Sequence, residues 1–497
     1  MSSLKLEFLT ETLQYLRPVL RETKTGEESA ETIIPDSIPD VSEVLSASGM
    51  AFLRGRELSE GRAAVAAGIS ASILVQPEGQ TAPEVIEQYL PISFAFENSL
   101  IRPDQKSRAQ VSLQRVEGHL VNPRKLLIRA SVTVELEIYA PCRETHPTGA
   151  LTPEVETLTE PKALRLMTAM EEKRYSIEDI IRFEPEGTGR KIAACRAELS
   201  HTESRLTGTR AVFRGNMKLS ILYLTEDGQI RPATAELPFS QYIDLECEAA
   251  EQMLELDSAL CGLDAGLSAD GSSLELSAQI QTRAAVIGTM EPAWVTDLYA
   301  CSGETEVQWQ ELNYESLLDT QLFSVTGRGS SPAGGQPLVA GVMPEVWSQS
   351  REGETVRFTI PVRVLLLSRE ESGWSGSAVF PELVCSTQAA QGCRFDVQVM
   401  DLQAEGTSGL DGTDVKVTGT VCVRTYGTAS ITEPVDGEIT ERQETDKRPG
   451  LIIRRTGSGE RLWDIAKGYR TTVEAIRAAN DLTGEPERGT LLLIPGR

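Results

Sequence analysis

One strand pattern occurs three times along this 497-residue chain. Each copy begins with a segment in which apolar residues alternate with polar or small ones, and it continues through a turn into a proline-containing motif. The alternating segments lie at 69–75, 217–223 and 356–364, and the prolines are Pro91, Pro238 and Pro381. Such alternation places one apolar face on a β-strand. The prolines are 147 and 143 residues apart, which is far longer than the ~20–50 residues of a solenoid repeat.

A second run of alternating apolar residues completes each copy. These runs lie at 132–138, 274–280 and 415–423. Asp270-Gly271 and Asp411-Gly412 precede two of them, and Asp-Gly pairs favour tight hairpins because glycine adopts positive φ without strain. The pattern predicts a multidomain, mainly β fold with three tandem sandwich-like or barrel-like modules.

The segments between these runs set the predicted boundaries. Turn-forming and Thr/Pro/Glu-rich stretches are typical of linkers. We expect a leading helix in 1–25 (over 4–20), β module one at 26–144, a linker and the start of a helix in 145–170, β module two at 171–302, β module three at 303–432, a linker at 433–449 and a small domain at 450–497. The helix that begins in the first linker is expected over residues 162–181.

The charge of the chain limits its partners. Lysine and arginine number 48 against 73 aspartate and glutamate residues, so the formal net charge is −25. Nucleic-acid phosphates and anionic membrane surfaces repel a chain this acidic. The N-terminus lacks the basic start and apolar run of a signal peptide, and the apolar segments are shorter than the ~20 residues that span a bilayer. We expect a cytoplasmic protein without nucleic-acid partners or membrane insertion.

Residues 451–497 differ from the rest of the chain. They hold 8 basic and 6 acidic residues, a net charge of +2 against −27 for residues 1–450. This contrast could keep the C-terminal segment from folding back onto neighbouring bodies until a specific partner binds, or it could favour self-association. The sequence leaves both alternatives open.

The C-terminal segment reads as a β-α-α-β domain. Apolar runs at 451–453 and 491–494 predict two strands. Thr471 and Glu474 predict a capping box at the start of the second helix. The first helix is indicated by apolar residues at i, i+3, i+4 and i+7, which are Leu462, Ile465, Ala466 and Tyr469.

This segment resembles the LysM domain. The matching residues are Gly459, Leu462-Trp463, Ile465-Ala466, Tyr469, Thr472-Val473, Ile476, Asn480, Leu482 and Leu493-Ile494-Pro495. The resemblance implies a shallow groove between the loops at 456–461 and 480–488, where LysM domains bind glycans that contain N-acetylglucosamine.

The first loop departs from the LysM pattern, because Gly459-Glu460-Arg461 stands where the family favours Gly-Asp-Thr or Gly-Asp-Ser. Glutamate caps a helix less well than aspartate, and a long cation replaces a small hydroxyl. The departure favours a protein-binding face over a sugar site, and it leaves residual glycan affinity open. We expect this face to comprise Arg454, Arg455, Gly459, Glu460, Arg461, Asn480 and Leu482. We expect the core to comprise Leu462, Trp463, Ile465, Tyr469, Ile476 and Ile494, with Trp463 packed inside rather than stacked on sugar.

The tandem modules also carry a resemblance. Ile34-Pro35-Asp36, Ile38-Pro39-Asp40-Val41, Ile221-Leu222-Tyr223 and Leu237-Pro238-Phe239-Ser240 are similar to the SPOCS domain of endospore-forming Firmicutes. SPOCS domains followed by one LysM domain are the layout of the SipL-type family of spore coat morphogenetic proteins. The resemblance implies a scaffold made in the mother-cell cytoplasm. Its LysM domain docks onto the morphogenetic ATPase on the forespore surface, and the scaffold promotes coat assembly with the coat proteins. The alternative is a peptidoglycan-binding wall or cortex protein.

We expect no enzymatic activity, cofactor or metal. The three histidines, His119, His146 and His201, are far apart in the sequence, and no Cys-x-x-Cys pair occurs among the eight cysteines. Nucleophilic catalysis needs a nucleophile, a base and an orienting group together, and a zinc site needs closely spaced ligands. His146 is expected to be solvated in a linker.

Overall fold

The structure is a computed structural model that describes residues 3–182, 188–245, 251–332, 335–370, 373–409, 412–441 and 450–495. It is almost entirely antiparallel β-structure, with helices assigned near the C-terminus. Neither of the two helices in the described ranges has the length and apolar character needed to cross a membrane.

The first module is built from two three-stranded sheets. The strands of this part of the chain are β1 (Ser3–Lys5), β2 (Phe8–Ile33), β3 (Val41–Ser59), β4 (Arg62–Pro77), β5 (Glu84–Glu97), β6 (Lys106–Asn122) and β7 (Lys125–Ala150). One sheet has the order β2-β7-β6 and the other β3-β4-β5. Alternate residues of the central strands, such as Ile69 and Ile73 of β4 and Val134 of β7, are buried in a common core. Their alternation is the pattern that predicted the strands.

The second module repeats this topology. Its strands are β8 (Val155–Pro161), β9 (Leu164–Arg182), β10 (Gly189–Thr207), β11 (Arg210–Thr225), β12 (Ile230–Asp244), β13 (Glu251–Leu267), β14 (Ser273–Met290) and β15 (Ala293–Ala300). The sheets are β13-β14-β9 and β10-β11-β12, and β15 pairs with β8. Gly271 has a φ of +66° in the turn before β14, as the Asp-Gly pair predicted.

The third module has the same plan with a more interrupted second sheet. Its strands are β16 (Gly303–Ser331), β17 (Pro337–Pro344), β18 (Ser348–Glu352), β19 (Thr355–Glu370), β20 (Gly373–Val379), β21 (Glu382–Gln388), β22 (Arg394–Gly409) and β23 (Gly412–Glu441). β16, β23 and β22 form one sheet, and β17, β18, β20 and β21 all pair with β19. In every module the first strand therefore pairs with the last, which confirms the predicted repeat and the mainly β, multidomain fold. Asp411 of the predicted third turn lies outside the described residues.

The first and last strands of each module run on into a long two-stranded arm, and the three arms pack together. Their shared core contains Leu13, Tyr15, Leu164, Leu166, Trp294, Tyr314 and Ile431. At the other end, β1 pairs with β23 through Ser3–Thr440 to Lys5–Glu438. The arms hold the modules together as one body.

The arms overturn four predictions from sequence. Residues 4–20 are strand rather than helix, since β2 pairs with β7 over its whole length. Residues 164–182 are strand β9, paired with β14, rather than the helix expected over 162–181. The first linker and the described part of the second (433–441) lie largely in strands of the arms, while 442–449 lie outside the described residues. Long antiparallel partners supply backbone hydrogen bonds and apolar contacts that outweigh local propensity.

His146 corrects a further expectation, because it is 1% exposed rather than solvated. It lies in β7, and its ring stacks against Trp294 with centroids 4.5 Å apart.

Buried charges tie the modules together on their inner side. Opposite charges stand in register on β6 and β7, on β13 and β14 and on β22 and β23, as Arg108–Glu137, Asp257–Arg283 and Asp396–Arg424. Arg108 Nε donates to Asp257 Oδ2 of the next module at 2.6 Å. Arg424 Nε lies 3.1 Å from Glu255 Oε1. Arg21 donates to both carboxylate oxygens of Glu315 at 2.5 and 2.7 Å. Each pair of modules therefore shares an ion pair.

We predict that this junction makes the body sensitive to acid. Burial alone would raise the pKa of Asp257, but Arg108 and Arg283 lower it to about 2. The unfolded chain takes up a proton near the ordinary value of 3.8, so the stabilisation is complete above this value and is lost as the pH falls toward 2. When the pH is lowered from 5 to 3, the free energy of unfolding should decrease in the parent protein. The decrease should be smaller in Asp257→Asn. An equal loss of stability in both proteins would contradict the role assigned to Asp257 at this junction.

Candidate docking site in the C-terminal domain

Residues 450–495 form a small β-α-α-β domain. Its elements are β24 (Leu451–Arg455), α1 (Leu462–Tyr469), α2 (Val473–Asn480) and β25 (Leu491–Pro495). β24 and β25 are antiparallel, with Ile453 opposite Leu493. The observed order of elements is the one predicted from periodicity.

The helices pack on one side of the two-stranded sheet. Leu462, Ile465, Ala466, Ile476, Leu492 and Ile494 are at most 1% exposed, and Trp463 is 7% exposed. Tyr469 and Leu482 pack against this core while remaining partly exposed. A domain of this size has few other apolar residues with which to form a core.

The second helix begins one residue later than the predicted capping box, and the first begins without a side-chain cap from its preceding residue. Thr472, rather than Thr471, caps α2 by accepting from Ala475 N at 3.0 Å, because the helix begins at Val473. Arg461 precedes α1 without a side-chain cap. Glu485 Oε2 from the second loop accepts from Leu462 N at 2.6 Å instead. A carboxylate near the N-terminus of a helix also interacts favourably with the helix dipole.

The two loops are fastened to each other and to β24. Thr456 Oγ1 donates to Glu487 O at 2.6 Å, and Arg455 Nε donates to Gly489 O at 3.2 Å. Arg454 pairs with Glu460 at 2.6 Å. Together with the hydrogen bond from Leu462 N to Glu485, these contacts occupy several of the polar groups that line the groove between the loops.

The other residues of the predicted face have different roles. Asn480 donates to Ile476 O and Leu493 O and accepts from Leu493 N, each at 2.7 Å, so it joins α2 to β25. Gly459 is exposed and has a φ of +76°. Arg461 is exposed and pairs with Asp464 at 3.1 Å. Within the predicted face, Arg461 and Arg455 therefore present charge to solvent.

The outer face of the sheet is apolar and open. Alternate residues point away from the helices, and four of them are Leu451, Ile453, Leu491 and Leu493, which are 56%, 66%, 67% and 37% exposed. Arg455 stands opposite Leu491 at the edge of this face. A cluster of exposed large apolar side chains on so small a domain is typical of a protein-binding surface.

This outer face was missed from the sequence, although a signal was present. β24 begins with three apolar residues and β25 is apolar throughout, whereas the helices cover the sheet from one side. Such a sheet must expose half of its apolar side chains.

The domain also packs against the arms of the second and third modules. Tyr299 of β15 belongs to the domain core, and its ring meets that of Trp463 edge-on with centroids 4.9 Å apart. Arg470 Nη2 donates to Glu304 Oε1 at 3.0 Å. Within one chain, the cationic domain therefore lies in contact with the acidic body.

Residues 190–265, which run from β10 into β13, match the family model described as the SipL SPOCS domain. No curated protein and no solved structure matches the chain. The SPOCS domain indicates a role in sporulation.

Proposed function

We propose, on the basis that this chain carries a SipL-type SPOCS domain, that it is a non-enzymatic scaffold of spore coat assembly. Its C-terminal domain, in the manner of a LysM domain, docks onto the morphogenetic ATPase on the forespore surface. The three-module body, acting from the mother-cell cytoplasm, then presents repeated surfaces to coat proteins. Repetition raises avidity through effective concentration.

The observation that carries this proposal is the apolar outer face of β24 and β25. Leu451, Ile453, Leu491 and Leu493 lie on neighbouring strands and expose 37–67% of their surfaces, so they offer apolar contacts to a protein partner. Arg455 stands opposite Leu491 at the edge of this face and provides a charged contact at the rim. Apolar anchors at the centre with charges around them are the usual arrangement of protein interfaces.

The loop groove is less suited to a glycan. The backbone N–H of Leu462 already donates to Glu485, and the side chains of Arg454 and Glu460 are paired with each other. A sugar would have to replace these hydrogen bonds. These contacts favour a protein partner over a peptidoglycan ligand.

The histidine nearest to a possible nucleophile fits a structural role. Ser258 Oγ lies 3.1 Å from His201 Nε2 and 2.6 Å from Thr282 Oγ1, and Thr282 is in turn 3.0 Å from Tyr175 Oη. The adjacent carboxylate of Asp257 accepts from Arg108 instead. This hydrogen-bond chain joins strands, in keeping with a protein that performs no catalysis.

The proposal predicts that Ile453→Glu weakens retention on the immobilised ATPase by about thirty-fold, equivalent to about 2 kcal/mol for an interface hot spot. Arg461→Glu should weaken it less, because Arg461 is exposed and already paired with Asp464, and should leave the fold intact. The matched control is Ile180→Glu, which alters an isoleucine of the body that is 63% exposed.

Pull-downs with the ATPase and with purified peptidoglycan separate the two candidate functions. The proposal predicts retention on the ATPase alone. Retention on peptidoglycan without ATPase binding would contradict the proposal and identify a wall or cortex protein.

A further inference from the structure

Strand β15 lies on the C-terminal domain in the manner of a bound ligand. Asp297 and Tyr299 are two residues apart on this strand and both face the domain. Tyr299 is 4% exposed, and its hydroxyl donates to Thr471 O at 2.7 Å. The residues in contact here are separated by 166 positions in one pair and by 172 in another.

The Asp297 carboxylate is the centre of the polar contact. Its Oδ2 accepts from Trp463 Nε1 at 2.8 Å, and its two oxygens accept from Lys467 Nζ at 2.6 and 2.8 Å. Trp463 and Lys467 are four residues apart on α1, so both point to the same side of the helix. The indole N–H is a donor only, and a buried donor without a partner is costly. The domain thus offers two donors that a carboxylate from outside satisfies.

This contact is suited to exchange. The side chains of Lys467 and Asp297 remain 43% and 30% exposed, so water reaches the ion pair and weakens it. Small, partly polar interfaces between domains of one chain permit relative motion. The Trp463 side of the domain is separate from the apolar sheet face, since Trp463 lies on the helical side.

We propose that the surface formed by Trp463, Lys467 and the Thr471 carbonyl is a binding site for an extended protein segment with an aspartate two residues before a tyrosine. β15 is its resident ligand in this structure, and a partner segment of the same chemistry displaces β15. The inference extends the proposed function, because it rests on a protein partner docking to this domain. Release of β15 would add a second contact surface to the apolar sheet face.

Asp297→Ala in the full-length chain tests whether β15 is a ligand. Amide hydrogen exchange should increase by about ten-fold or more over 462–471, which corresponds to a loss of about 1.4 kcal/mol of protection, while β11 and β14 stay unchanged. The matched control is Asp264→Ala, an exposed aspartate on β13 of the same module. Unchanged exchange at 462–471 would overturn the assignment of β15 as resident ligand.

A labelled peptide of residues 293–300 tests the site itself, without the ATPase. It should bind the Asp297→Ala chain at least five-fold more tightly than the parent chain, since coupling between a resident and an added ligand is typically at least that large. A peptide with alanine at the aspartate should lose this preference. Equal binding of both peptides would overturn the proposed site, whereas absence of ATPase binding by the parent chain would contradict only the proposed function.

Discussion

Replacing Arg108 with methionine is expected to destabilise the three-module body by about 3–5 kcal/mol, because removing one partner of a buried ion pair leaves charge unpaired. The Arg108 side chain is 7% exposed and lies between Asp257 and Glu137, whose side chains are each 16% exposed. Asp257 belongs to the second module, whereas Arg108 and Glu137 belong to the first. Loss of the arginine therefore weakens the contact between modules as well as the first module. Denaturant unfolding of the full-length chain measures the effect.

Arg115→Met is the matched control. Arg115 lies on the same strand, β6, and pairs with Glu117, but its side chain is 53% exposed. Its replacement should change the free energy of unfolding by less than about 1 kcal/mol. Adding Asp257→Leu to Arg108→Met should restore part of the stability, since an apolar pair replaces an unpaired charge. Similar stability for Arg108→Met and Arg115→Met would show that the junction is not held by buried charge.

Trp463→Ala is expected to unfold the C-terminal domain at conditions where the body stays folded. The substitution removes a large aromatic side chain from a small core at a cost of about 3–5 kcal/mol. It also removes the edge-on contact with Tyr299 and the indole donor to Asp297. A domain with eight-residue helices and two five-residue strands has little other core to compensate. Hydrogen exchange over 451–495 should become rapid, with protection of β4 and β11 unchanged.

Trp309→Ala provides the control for loss of a tryptophan. Trp309 lies on β16 of the third module and is 39% exposed. Its replacement should leave exchange in the C-terminal domain at the parental rate. Native protection of α1 and α2 in Trp463→Ala would disprove the role of Trp463 in the core and at the contact with the body.

The repeated modules could be predicted because their central strands alternate apolar residues with polar or small ones over most of their length. Residues 69–75, 217–223 and 356–364 lie in β4, β11 and β19, which occupy equivalent central positions. A central strand buries one full face, so its pattern is strong. The order of strands and helices in the C-terminal domain could also be predicted, because the spacing of its apolar residues is regular.

The arms could not be predicted, because their stability comes from distant partners. Residues 8–18 pair with 139–150, more than a hundred positions away, and Leu164 and Leu166 are buried by side chains of all three arms. Local sequence there favours helix or linker. His146 was misassigned for this reason, since the residues that bury it, such as Trp294, belong to another module.

Only part of the candidate site could be predicted from the sequence. Asn480 was predicted to belong to the partner-binding face, and the structure shows that its side chain joins α2 to β25 through hydrogen bonds. Asp297 was missed because no sequence signal connects it with Trp463 across 166 positions. Such contacts depend on where the arm ends relative to the C-terminal domain, and this position is a property of the assembled body.

The most direct test of the central claim, that the C-terminal domain attaches the three-module body to the forespore surface, is the location of a fluorescent fusion in sporulating cells. The full-length chain should encircle the forespore, and Ile453→Glu should reduce this signal. A chain of residues 1–450 should remain dispersed in the mother cell. Encirclement by residues 1–450 at the full-length level, or localisation of the full-length chain to the cell wall, would contradict the claim.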